Sequence, residues 1–555
     1  MHRIEADLLI PGRGDPVRDG VVVLDEPRIS YAGPAGAAPE TPGATVHRVA
    51  AVMPGMWDCH GHFLGMRTFD LDRLPLEPEP LRGARCARDL RAALDAGITS
   101  VREVGGLGVY LARAVAEGVL DGPTVYGAGA ILSTTGGHGD LHAFPLGWMA
   151  DYGHSAGMQR LADGPDDCAR AAREQLRRNA KVIKVCASGG VLSEVDDPIH
   201  QQFTMAELRA IVEVAGLAER VVAAHCHGKP GIMAALRAGV RTIEHGSYLD
   251  EECCDAMRET GAILVPTRTI IEDILTHLSA VPDYARVKLL AIADTHAQAV
   301  SRAYESGVTI AMGTDIALTG DDMPNAWGQN GIELSHLVKL GMTPLEAIET
   351  ATANGPLTLG PQAPKAGVLE AGYDADVITV DGDPLADIGV LAARDRITRV
   401  WTKGRLVKGA LHQALYQEHE VDLVPERDAV VAGSRDLRLL PPGPVDGARP
   451  QFGQPEPAAL VEAQRVDVVV RRGQPDLPAA RAAGRLDRGL DEQRADTGTA
   501  LDRVQRDDLQ HLAGDVVGEQ ADQPAGPLRD IAGQLSRPEQ GAVHGDHFRA
   551  PQLGD

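Results

Sequence analysis

No run of apolar residues in this 555-residue chain approaches the ~20 needed to cross a bilayer. Its first ten residues also lack a basic stretch leading into a long apolar core. Neither a membrane span nor a secretory leader is expected, and the expected location is the cytoplasm. Cysteine is sparse: seven residues, an odd number, lie scattered from Cys59 to Cys254 with no paired framework. That pattern speaks against a disulfide scaffold and for reduced thiols. Cys253 and Cys254, adjacent on a helix predicted over 250–260, would point about 100° apart and are read as packing residues. Positive charge is also short, with 54 Lys and Arg against 78 Asp and Glu and a formal net charge of -24. A nucleic-acid partner needs clustered Lys and Arg, so this balance argues against one.

The end of the chain lacks still more. Lys does not occur after Lys408 or Tyr after Tyr416, Trp, Met, Cys and Asn are missing from 413 onward, and Ile531 is the one isoleucine there. Gln, Arg, Asp, Pro and Gly accumulate instead, and few residues remain that could build a core. The expectation for 413–555 is a disordered, non-catalytic tail, such as a non-native reading frame would produce. A partner-binding extension is the alternative.

What is present is an alternation of strand and helix. Short strands are predicted at 6–10 and 20–24, followed by a Pro, Gly and Ala-rich connection over 32–43. From residue 51, strands are predicted at 51–58, 98–104, 124–128, 182–186, 221–224, 241–244, 262–266 and 308–312. Helices are predicted between them at 82–96, 166–179, 205–219, 231–238 and 285–306, the third announced by a Thr204-to-Glu207 capping box. Eight strand-helix alternations in this length match an α/β fold of the (β/α)8, or TIM, barrel type. A doubly wound open sheet is the competing architecture, because periodicity does not separate the two.

In such a barrel, function sits at the C-terminal ends of the strands. His60 and His62, in Asp58-Cys59-His60-Gly61-His62-Phe63, follow the first strand at a spacing of two, which aims both imidazoles the same way. Taken alone, the pair also fits surface or core histidines. Lys184 lies in the fourth strand, His225 ends the fifth, His245 the sixth and Asp315 the eighth. All six therefore fall at one rim, where imidazoles can bind zinc-like ions.

The ordered set His-X-His, Lys, His, His, Asp resembles the metal-dependent amidohydrolase superfamily in its binuclear, carboxylated-lysine form. Lys184 and His225 lie 41 residues apart, and His225 and His245 20 residues apart. With the segments Thr134-Thr135-Gly136-Gly137-His138-Gly139-Asp140 and Ala187-Ser188-Gly189-Gly190-Val191, these intervals are similar to the branch of prolidase-like dipeptidases and ochratoxin-type amidases. The resemblance spans about residues 1 to 410. It implies two divalent metal ions, zinc being expected, with N-carboxylated Lys184 bridging them. His60, His62 and Asp315 would hold the more buried ion, and His225 and His245 the other. Ile183 and Val185 flank Lys184, so desolvation should leave some of its amine neutral and able to take up carbon dioxide.

The implied reaction is hydrolysis of a small amide or peptide, such as a dipeptide, an N-acyl amino acid or an ochratoxin-like amide. The metals would activate a bridging water, and Asp315 would take its proton and pass it to the leaving amine. His138 would polarise the substrate carbonyl or bind a substrate carboxylate, unless it is a mobile loop residue. His227 is expected to line the pocket, and Tyr248 either faces it or packs on the barrel wall. His142, His154, His200 and His336 are read as structural or solvated. The segments 367–380 and 400–408 resemble the superfamily's return strands, which complete a small β-sandwich with the N-terminal strands. The domains expected are thus 1–50 and 363–412 as the two parts of the sandwich, 51–362 as the barrel, and the tail. Homo-oligomers are compatible with this reading. A cyclic-amide hydrolase or deaminase on the same scaffold is one alternative, against which Lys184 counts. A non-catalytic barrel protein is the other, and such a protein would be expected to lose ligands.

Overall fold

The computed structural model describes residues 1–155 and 157–409, and the tail expected at 413–555 lies outside them. From Met56 onward the chain builds the barrel. Its strands are Met56–Met66, Ile98–Glu103, Thr124–Gly127 continued by Ile131–Ser133, Val182–Cys186, Val221–Cys226, Thr242–His245 and Ile263–Val265. The third is broken: Thr124–Gly127 pairs with the second strand, whereas Ile131–Ser133 pairs with the fourth. All these pairings are parallel. Strands buried on both faces explain apolar runs such as Val182–Cys186, in which only Lys184 is charged.

The structure departs from the sequence reading at both ends of the barrel. The strand expected at 51–58 is two strands, because the chain changes sheets at Gly55. Thr45–Pro54 belongs to the accessory sheet and Met56–Met66 to the barrel. Gly55 permits the crossing, since a Cβ there would come 2.2 Å from Thr99 Oγ1. His60 and His62 consequently lie within the first barrel strand rather than after it. The strand expected at 308–312 is reduced to a parallel bridge between Leu264 and Ile310. Closure is carried by single bonds, Ala311 N to Leu264 O and Cys59 N to Met312 O, both 2.9 Å. The chain then bends, and the short strand Ile316–Leu318 pairs with the first barrel strand.

The helices predicted between the strands form as Glu79–Asp95, Pro165–Arg177, Met205–Leu217, Lys229–Ala238 and Asp283–Glu305, and the one predicted over 250–260 forms as Glu251–Thr260. Thr204 and Glu207 make the reciprocal capping box. Helix Arg268–Thr276 was not legible as a start signal, and its cap shows why. Thr267 makes no side-chain cap bond, because its hydroxyl is engaged by His245. Among the described residues no helix is long and apolar enough to cross a membrane. All seven cysteines are buried and unpaired.

Strands from both ends of the described chain share one seven-stranded sheet, in which Val377–Val380 pairs with Thr45–Pro54. Ile4, Val22, Ile29, Val52, Val377 and Trp401 of this sheet gather into one buried cluster, and the strands expected as two parts of a sandwich are hydrogen-bonded in one continuous ladder. The last strand expected, 400–408, is a hairpin of Ile397–Thr402 and Arg405–Lys408. Lys403 (φ 48°) and Gly404 (φ 82°) make its tight turn, where two left-handed residues match the twist of antiparallel strands.

Candidate active site

The alternation of strand side chains sends His60 and His62 to the same side. Their remaining neighbours then decide which ring nitrogen is available. Glu244 lies 2.7 Å from His60 Nδ1, and the Gly105 carbonyl lies 2.8 Å from His62 Nδ1. Both partners accept, so each Nδ1 carries a proton and each Nε2 keeps its lone pair. The two Nε2 atoms converge on Asp315, His62 at 3.0 Å and His60 at 3.5 Å from Oδ1. His60, His62 and Asp315 each place a ligand atom within 4.8 Å of the others, as a metal site requires. Asp315 reaches the rim through a left-handed backbone (φ 59°), and its N–H donates to the His60 carbonyl at 2.7 Å.

Lys184 is buried, with Nζ 3.3 Å from His60 Nε2. Burial lowers its pKa, outweighing the opposing pull of the Glu244 and Asp315 carboxylates. His225 Nε2 donates to the Gly189 carbonyl at 3.1 Å, which leaves Nδ1 as its free lone pair. The His225 and His245 rings are 4.6 Å apart and those of His60 and His245 5.0 Å apart. His245 is also left-handed (φ 70°), and its Nδ1 is tied to Thr267 Oγ1 at 2.7 Å. Burial, reinforced by neighbouring positive groups, pushes His225 and His245 well below the ordinary histidine range and His60 down to about 4. Neutral imidazoles are the form that binds metal. Burial alone would raise the Asp315 carboxyl, but His60, His62 and Lys184 outweigh it and keep it ionised. This donor set, with one carboxylate and several lone-pair nitrogens around a buried amine, fits divalent cations.

Six of the predicted site residues thus meet at one rim, and His138 and His227 join them in lining a single cavity. His227 Nδ1 pairs with Ser247 Oγ at 2.7 Å, and burial lowers its pKa to about 3. His138 stacks on His225 with ring centroids 4.2 Å apart. Tyr248 lies outside the cavity lining and packs on the apolar cluster that forms the cavity wall. That wall includes Leu64, Phe69, Met158, Ile271, Leu289 and Ile292. The cavity therefore joins a polar, basic floor to apolar sides, the usual composition of a small-molecule site.

Several supporting residues escaped the sequence reading. Arg102 donates two bonds of 2.8 Å to the Glu244 carboxylate, both side chains fully buried, and Glu244 also holds His60. Asp58 accepts from Thr314 Oγ1 at 2.6 Å, Asn330 Nδ2 at 2.7 Å and the His60 N–H at 3.0 Å. It ties the first strand to the loop bearing Asp315. A usable signal was present: Asp58, Arg102 and Glu244 are charged residues inside strands otherwise built for burial, and such charges need partners.

Comparison with known proteins points to one family. A sequence model of the amidohydrolase family matches residues 51–407. The chain is 44% identical over 422 residues to ochratoxinase from Aspergillus niger, an alignment covering 73% of this chain and 86% of that protein. The crystal structure of A. niger ochratoxinase superposes with a TM-score of 0.69 at 43% identity, covering 74% of this chain and 96% of that one. A prolidase complexed with N-methylphosphonate-L-proline gives a TM-score of 0.68 at 32% identity, over 74% of this chain and all of that one.

Proposed function

The chain belongs to the amidohydrolase family and is a hydrolase acting on amide C–N bonds, and we propose that it is a binuclear metal-dependent enzyme for small apolar amides. Dipeptides, N-acyl amino acids and ochratoxin-like amides are the substrate classes that fit. The carrying observation is the convergence of His60, His62 and Asp315 at the floor of an apolar-walled cavity that Lys184, His225 and His245 also line. His60, His62 and Asp315 would hold one ion and His225 and His245 the other, with Lys184 between them as its carbamate. Zinc suits this set of imidazoles and carboxylate. Two such ions would lower the pKa of a water and polarise the scissile carbonyl.

The protein's own groups account for the rest. Asp315 stays ionised and is free to take a proton at the floor and return it to the leaving amine. Leu64, Phe69, Ile271 and Ile292 seat the apolar part of the substrate and keep bulk water away. His138 and His227 face the substrate from the floor's edge.

Metal analysis of the purified protein should give two ions per chain, and chelation should abolish cleavage across a panel of N-acyl amino acids and Xaa-Pro dipeptides. Fewer than one ion per chain together with no amide cleavage would overturn the reading. A chain ending at residue 412 should keep both metal content and activity, because every candidate site residue lies between His60 and Asp315. Loss of either property on truncation would assign the remaining residues a part in the enzyme.

A further inference from the structure

His138 ends a chain of hydrogen bonds that extends away from the metal ligands. Its Nδ1 lies 2.8 Å from Ser193 Oγ. Ser193 Oγ in turn meets Asp196 Oδ1, with the Gly190 carbonyl farther off at 3.5 Å. Asp196 Oδ2 accepts from the Gly190 N–H at 2.9 Å and from Gln202 Nε2 at 3.1 Å. Gln202 returns to the start of the chain, its Oε1 accepting the His138 N–H at 3.1 Å. Lys288, on helix Asp283–Glu305, reaches across to the same loop. Its Nζ donates to the Ser193 carbonyl at 2.6 Å and the Gly190 carbonyl at 3.2 Å, bonds the Asp196 carbonyl, and lies 3.3 Å from Asp196 Oδ1.

The ring has little room to turn. His225 stacks on one face, and a Cβ at Gly190 would lie 2.1 Å from His138 Nδ1 and Cε1, so only glycine admits the imidazole there.

Counting protons fixes the direction of the chain. Asp196 Oδ2 already accepts from the Gly190 N–H and Gln202 Nε2, and its Oδ1 lies beside the Lys288 ammonium, so the carboxylate is an acceptor. The Gly190 carbonyl can only accept as well. The single Ser193 proton therefore goes to Asp196, and Ser193 Oγ is left to accept from His138 Nδ1–H. A neutral imidazole has one N–H, so Nε2 is bare. Among the described residues Nε2 has no protein partner, and the ring lines the cavity.

We infer that Ser193, Asp196 and Lys288 are positioning residues that hold His138 as its Nδ1–H tautomer, so that the cavity presents the substrate with a hydrogen-bond acceptor and favours the N–H of a secondary amide. Donation from Nε2 to a carbonyl, the role expected from the sequence, would require a second proton on the ring. The selection half rests on the amide hydrolysis proposed above. The tautomer half does not.

Two measurements on the full-length, zinc-loaded protein test this. In the first, histidines carry 15N, and His138→Gln identifies the His138 signals. The wild type should show the proton on Nδ1. Ser193→Ala should lose this single tautomer and Ser193→Thr should restore it. A proton on Nε2 in the wild type overturns the inference, whatever the activity.

In the second, kcat/KM is compared for two N-acyl amino acids that differ by a methyl on the amide nitrogen. The preference for the N–H substrate should fall about tenfold in Ser193→Ala, the worth of one hydrogen bond, with metal content unchanged and recovery in Ser193→Thr. An equal preference in wild type and Ser193→Ala overturns the selection. Absence of hydrolysis for both substrates at full metal content defeats the proposed function instead, and the tautomer spectrum still decides the positioning chain.

Discussion

Asp315→Asn should lower kcat for amide hydrolysis by about a thousandfold, within the range lost when a proton-transfer group is removed. The substitution is chosen for its backbone. Asp315 is left-handed (φ 59°), a conformation that Asn tolerates and that Ala would adopt only with strain. The fold and the bond from the Asp315 N–H to the His60 carbonyl should therefore survive. What disappears is the negative charge that His60, His62 and Lys184 hold in place, and with it the acceptor for a proton at the cavity floor. Because Asp315 is also a candidate ligand, metal content must be measured beside kcat. A variant that binds both ions and retains activity within tenfold of the wild type would remove Asp315 from the proton transfer.

Glu244→Ala should be the most damaging substitution for stability, by about 3–5 kcal/mol, because it leaves the buried Arg102 guanidinium without its carboxylate. Thermal unfolding should shift down by on the order of 5 °C or more. It should also release His60 Nδ1 and so weaken metal binding, by about 10–100-fold for an outer partner of a ligand histidine. The double variant Arg102→Met with Glu244→Leu separates the two effects: stability should largely return, since an apolar pair can replace a buried ion pair, while metal affinity should not.

The pH dependence follows the same bond set. Burial disfavours the Glu244 carboxylate, but Arg102 and His60 more than compensate and hold its pKa down to about 2. A group lowered on folding contributes stability that is complete above its unfolded value. That contribution is lost as pH falls from about 4.5 toward 2. A melting temperature that stays flat across this window, in a protein with the pair intact, would contradict the assignment.

Much of the barrel was legible because its signals are local. Val182–Cys186 reads as a buried strand from its apolar residues, and Thr204 with Glu207 marks a helix start through bonds spanning three residues. The errors cluster where local pattern and long-range contact disagree. The stretch 51–58 is uniformly strand-like, yet the turn at Gly55 divides it between two sheets, a division set by the packing of Thr99. The eighth strand dissolves into single bonds because the chain must bend there to bring Asp315 beside His60.

By itself the sequence determined which residues could carry metal chemistry and on which side of the barrel they would emerge, since strand alternation and position at a strand's end are properties of neighbouring residues. Only the tertiary structure decided how each of them is held. His60 is oriented by Glu244, 184 residues away; Glu244 is neutralised by Arg102, 142 away; and Asp58 meets Asn330 across 272. Such bonds arise when the barrel closes and buries charges that cannot be left unpaired. No local pattern records which partner closure will deliver, and the ring nitrogen each histidine offers depends on that partner.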